Sequence, residues 1–142
     1  MSVRTMVLLF SHSLMSEQEE EARERWGVGR FAALPAELQE RWSQIPPEGP
    51  FPADWLDPIW NWIEQETVPG DLVLVHGEPG AILLAVAWCR RHGRIPLYAT
   101  TRREYTSVPR PDGGVENRHV FRHVQFREYP SLPDDTGTPR SD

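Results

Sequence analysis

Lysine is absent from the 142-residue chain, and all 15 basic residues are arginine. A single cysteine, Cys89, excludes an internal disulfide, and no Cys/His spacing resembles that of a structural zinc site. The chain also lacks any run near the roughly 18–20 consecutive apolar residues that a membrane-spanning helix needs. Residues 1–10 are too short, and too soon followed by acids, for a signal peptide. These absences predict a soluble, cytoplasmic protein held together by packing, with no disulfide, no metal ligands, no cofactor and no membrane anchor. The length suits one domain, expected over residues 1–129. The stretch 130–142, rich in Pro, Asp, Thr and Ser, reads as a disordered tail.

The net charge of −6 argues against general affinity for long nucleic acid, yet it averages over a divided chain. Residues 1–89 hold 5 arginines against 14 acids, residues 90–127 hold 9 against 3, and residues 128–142 hold 1 against 4. An anionic ligand is therefore expected near the basic segment.

Three short aliphatic runs, 7–10, 72–75 and 95–99, have no amphipathic period and suit strands buried on both faces of a parallel sheet. A further brief strand is expected at 30–34. Between them lie helical segments. Ser16 with Glu19 reads as a capping box before a helix to Trp26, and Pro35 opens a helix over 36–44. Asp54 is placed to cap a helix to Thr67, with Trp55, Ile59, Trp62 and Ile63 on its apolar face. A strongly apolar helix over 81–91 ends at Gly93. Asp112-Gly113-Gly114 is a hairpin-type turn. It leads into a strand over 119–129 with Val120, Val124 and Phe126 on one face and His119, Phe121, His123 and Arg127 on the other. Alternating strands and helices predict an α/β domain: a parallel sheet flanked by helices and extended by a C-terminal antiparallel hairpin.

In such sheets ligands bind beyond the carboxyl ends of the strands. The first strand delivers Ser11, His12 and Ser13, the second His76, Gly77, Glu78 and Gly80, and the third Thr100, Thr101, Arg102 and Arg103. Hydroxyls, imidazoles and guanidiniums among small residues are a set able to bind a phosphodiester. Gly77 to Gly80 lets the backbone approach a ligand ahead of helix amides that favour an anion. The loop is neither a Walker motif nor a three-glycine dinucleotide fingerprint. Arg102 and Arg103 can grip phosphate oxygens in two places. Glu78 would repel a phosphate unless it orients a ribose hydroxyl or an arginine. His119 and His123, two pleats apart, are poorly spaced to share a metal ion. The absence of a Gly-x-Ser-x-Gly elbow and of a spaced acidic partner argues against a serine triad.

Leu-Leu-Phe-Ser-His at 8–12, Leu-Pro-Ala-Glu-Leu-Gln at 34–39, Trp-Ser-Gln-Ile-Pro-Pro-Glu at 42–48, Thr-Thr-Arg-Arg-Glu at 100–104 and His-Val-Phe-Arg-His-Val-Gln-Phe-Arg at 119–127 together resemble a small CRISPR-associated family. That family accompanies type III systems, and the likeness spans residues 5–129. The resemblance implies a single domain related to the CRISPR-associated Rossmann fold. It also implies a ring nuclease that cleaves cyclic tetra-adenylate to linear dinucleotides ending in 2′,3′-cyclic phosphate, switching off antiviral signalling. A two-fold symmetric ring suits a homodimer. Attack by the ribose 2′-hydroxyl on its neighbouring phosphate needs no metal, only in-line positioning. Position and chemistry then assign Ser11 to holding the phosphate or hydroxyl and His12 to moving a proton, because imidazole exchanges protons near neutral pH. Arg103 or Arg102 is assigned to charge on the phosphorane. A non-cleaving sensor or sponge for the same messenger, and a protein-interaction accessory domain, are the alternatives.

Overall fold

Continuous aliphatic runs dictate the centre of the molecule. The computed structural model describes residues 3–133; Met1, Ser2 and most of the expected tail, 134–142, lie outside the described residues. The chain order is β1 (Arg4–Leu9), α1 (Ser16–Trp26), β2 (Val28–Ala33), α2 (Ala36–Ser43), α3 (Asp57–Glu66), β3 (Leu72–Val75), α4 (Pro79–Arg91), β4 (Ile95–Pro109) and β5 (Val115–Glu128). The strands form one sheet in the order β2-β1-β3-β4-β5, parallel except for the antiparallel pair β4–β5. The expected α/β class, with helices on a mostly parallel sheet and a C-terminal hairpin, is the observed one.

Successive residues of a strand point to opposite faces, and here both faces are covered. Val7, Leu9, Val73 and Val75 pack with Ile59 and Ile63 of α3 and with Ala81, Ala85 and Cys89 of α4. Met6, Leu72, Leu74 and Leu97 pack with Ala22 of α1 and Phe126 of β5 on the other side. Met6, Val7, Leu9, Leu72, Val73 and Val75 have no exposed surface, which explains the unbroken aliphatic runs. Each such side chain contributes roughly 1.5–3 kcal/mol. Among the described residues no helix is long and apolar enough to cross a membrane.

All four helix starts differ from expectation, α4 by beginning at Pro79 rather than at 81. Met15, not Ser16, is the N-cap of α1, and its amide donates to Gln18 Oε1 at 2.9 Å. Pro35 sits at the N-cap of α2 rather than inside it. Asp54 does not cap α3: residues 53–56 turn first, Leu56 is the N-cap, and Pro58 occupies the first turn, where its missing N–H costs nothing. Trp55 therefore lies outside the helix, its indole donating to Arg41 O at 2.8 Å under the Arg41 guanidinium. At the far end of α1, Gly27 adopts φ 68° and closes the helix by donating to Ala22 O, a left-handed conformation that glycine enters without steric cost.

The largest correction concerns β4. Thr100, Thr101, Arg102 and Arg103 do not form a loop beyond the third buried strand; the strand runs on through them to Pro109, and β5 pairs with it along its length. The result is a long hairpin arm whose outer half is exposed on both faces. The unbroken polar run from Thr100 to Glu104 disguises it as a loop.

Burial within the α4 face pushes the Cys89 thiol up to about 12, only partly offset by Arg94 and Arg90. Since the thiolate is the reactive form, Cys89 should resist alkylation at neutral pH in the native protein and react fully once denatured, as read by mass spectrometry of iodoacetamide-treated samples.

Candidate functional site

The sheet order reverses between β1 and β3. The connection after β1 enters α1 on one face, that after β3 enters α4 on the other, and a crevice opens where they part. The His76 amide donates to Leu9 O at 2.9 Å, closing the β1–β3 pairing. Beyond it lies a cleft of about 520 Å³ lined by His12, Ser13, His76, Tyr98, Thr101 and Tyr129, with Phe10, Leu74 and Ala99 as its apolar part. This lies within the usual range for small-molecule sites, about 300–1,000 Å³. The Tyr129 hydroxyl donates to Val75 O at 2.9 Å. Burial, with Tyr98 nearby adding to it, raises the pKa of this phenol, so it remains a proton donor. Arg127 reaches the Tyr98 hydroxyl at 3.4 Å from outside.

The structure brings together only part of the expected set. His12, Ser13, His76 and Thr101 share the cleft, and Ser11 lines a neighbouring cavity that also touches His12 and Ser13. The Thr100 hydroxyl is taken by the Gln125 carbonyl at 2.9 Å. Arg102 and Arg103 are carried away on the arm: Arg102 pairs in register with Arg122, and the Arg103 guanidinium lies over the Phe121 ring, 5.1 Å from its centroid. Neither lines the cleft. No group of three or more His, Cys, Asp or Glu among the described residues is placed to hold a metal ion.

The loop at 76–80 also needs correction, because internal contacts account for its residues. A Cβ on Gly77 would stand 2.9 Å from the Trp42 indole nitrogen, which donates to His76 O at 3.0 Å. A Cβ on Gly80 would meet Phe51 at 2.9 Å. Glu78 is the N-cap of α4 and accepts from the Gly80 amide at 2.5 Å, placing a carboxylate where the sequence leads one to expect a bound anion. The glycines admit aromatic rings, and Gly77, Glu78 and Gly80 stand outside the cleft lining.

One structural contact gives no local sequence signal. Glu21, within an exposed-looking acidic run, turns its carboxylate inward against the base of the arm. It accepts from the Phe126 amide at 2.9 and 3.0 Å and from the Trp26 indole at 3.2 Å, and it meets His123 Nε2 at 2.5 Å. The two side chains are only 10% and 3% exposed. Val124 bulges there: Thr100 faces Gln125 while Thr101 faces His123. The bulge overturns the expected alternation, since His123 and Phe126 now share a face with ring centroids 4.9 Å apart. This clasp fixes where the arm leaves the sheet, and so where Thr101 stands beside the cleft.

With this geometry established, no solved structure matches the chain. The sequence profile of the uncharacterized protein MJ1673 family matches residues 4–127. The chain belongs to that family. One relative, the uncharacterized protein MJ1673 of Methanocaldococcus jannaschii, is 39% identical over 124 residues, which is 87% of this chain and 95% of the relative. The span matched by the MJ1673 family takes in both strand ends that form the cleft and the arm as far as Arg127.

Two stability measurements check these contacts. Gly77→Ala forces a methyl group against a buried indole and should cost about 1–3 kcal/mol in urea unfolding. Glu21→Ala strands the Phe126 amide and His123 and should cost about 3–5 kcal/mol, with faster hydrogen exchange at Phe126. Glu21→Gln, which keeps an acceptor, should lose less.

Proposed function

We propose that the chain is a cytoplasmic ring nuclease acting on cyclic tetra-adenylate as a homodimer. The observation that carries this reading is the cleft at the sheet's order reversal, where hydroxyls and imidazoles from two strand ends meet tyrosine rings and no carboxylate among the lining residues opposes a phosphate. The resemblance to a CRISPR-associated family supplies the ligand class. A cleft of this size takes part of a cyclic tetranucleotide, so two copies about the ring's two-fold axis complete the site.

In the reaction, a ribose 2′-hydroxyl attacks the adjacent phosphorus, the bond to the 5′-oxygen breaks, and a 2′,3′-cyclic phosphate forms. Two such scissions give two linear dinucleotides with no water consumed. Ser13, Thr101 and His76 hold the phosphate, with Ser11 at the rim of the same loop. Fixing the sugar in line makes a rare conformer the bound one. His12 takes the 2′-hydroxyl proton or returns one to the departing 5′-oxygen. Arg102 and Arg103, on the arm of the same protomer, are not needed for this step.

The lack of an arginine among the cleft residues favours a second reading, a sponge that captures the ring without cutting it, because charge on the phosphorane would go without a guanidinium. Incubation of excess cyclic tetra-adenylate with the protein in EDTA, followed by chromatography, decides between them. Linear dinucleotides are expected, and His12→Ala should slow their release about 100-fold. An intact, bound ring would establish the sponge, and a ring that does not bind would overturn both.

A further inference from the structure

A second cavity, of about 360 Å³, lies on the β2 side of the loop that leaves β1. Phe10, His12 and Ser13 line both hollows. The sheet order explains this: β1 stands between β2 and β3, so its departing chain forms a ridge with one cavity on each side. We propose that the second cavity is a nucleobase subsite for an adenine, and that two successive nucleotides straddle the ridge with the scissile phosphodiester resting on His12 and Ser13. The ligand class rests on the ring-nuclease reading; the subsite rests on the cavity.

The chemistry of the lining suits an amino-bearing base. Phe31 and Leu34 offer apolar walls opposite the ridge, suited to the face of a flat ring. Gln39 spends one amide hydrogen on Ser43 Oγ at 3.1 Å, which leaves it one N–H donor and the Oε1 acceptor. The Glu19 side chain makes no hydrogen bond or ion pair among the described residues, and its carboxylate is acceptor-only when ionised. A carboxylate at the edge of the pocket calls for a guest that donates there. Adenine brings an exocyclic amino group and the ribose brings hydroxyls, whereas a uracil carbonyl would be repelled by the Glu19 carboxylate. Two hollows per protomer also fit the stoichiometry of the reaction. Four nucleotides need two protomers, and because each scission falls at a ridge, between the two nucleotides a protomer holds, each dinucleotide product spans both protomers.

Calorimetry with linear diadenylate and with adenosine monophosphate tests the subsite. Wild-type protein should bind diadenylate at least about tenfold more tightly, because the second base is delivered by the first. Ala33 lies exposed on β2 and lines this cavity, so Ala33→Trp fills it without entering the core. That variant should lose the advantage of diadenylate and keep its affinity for the monophosphate. An advantage that survives the indole overturns the proposal. Glu19→Ala, at the surface of α1, is the second variant: it should narrow a preference for diadenylate over diuridylate by about tenfold, and an unchanged or absent preference also overturns the proposal. Outcomes separate the two levels. Cleavage of the ring by wild type, with the same KM in Ala33→Trp, removes the subsite and leaves the nuclease. The expected diadenylate pattern with an intact ring removes the nuclease and leaves the subsite. Wild-type protein that binds no adenylate removes both.

Discussion

The hydrogen bond from the His76 amide to the Leu9 carbonyl is the last rung between β1 and β3, and the site exists because the two chains separate immediately beyond it. Up to that rung both strands are sealed between helices and have no freedom. Past it, one chain must climb to α1 and the other descend to α4, because the two helices cover opposite faces. The parting is forced by topology, and the polar residues 11–13 and His76 stand at the opening because aliphatic ones would face water there.

The hairpin arm supplies the remaining wall and would be poorly placed without Glu21. An antiparallel pair that outgrows its sheet has no neighbour to set its direction. One inward carboxylate holding a backbone amide, an indole and an imidazole gives it a fixed root. Farther out, the arm's ion pairs, such as Arg122 with Glu104 at 2.9 Å, are exposed and contribute little to its rigidity. The basic charge concentrated here therefore stays at the surface, while the cleft uses imidazole and hydroxyl.

The buried strands are legible in the sequence because a strand covered on both faces must be aliphatic at every position, and 72–75 is so. The same rule hides β4 beyond Ala99: a strand exposed on both faces carries no alternation, so Thr100 to Glu104 read as a loop that would bring its arginines into the site. His12, Ser13, His76 and Thr101 are readable from position alone, since they cap or extend aliphatic runs. Gly77 and Gly80 mislead because their reason lies in Trp42 and Phe51, distant in sequence. Glu21 is hidden among like charges, where only the tertiary fold distinguishes the carboxylate that turns inward.

The bulge at Val124 makes the arm's chemistry a matter of parity. With that extra residue, Phe121 and His119 lie with Arg103 and Tyr105 on the face continuous with His123. Were this position paired in the ladder instead of bulged, every side chain from 115 to 123 would trade sides. Arg118, Val120 and Arg122 would then occupy the face the aromatics now hold, although no residue type had been substituted. Pairing register at one position, more than composition, thus decides which surface the arm presents.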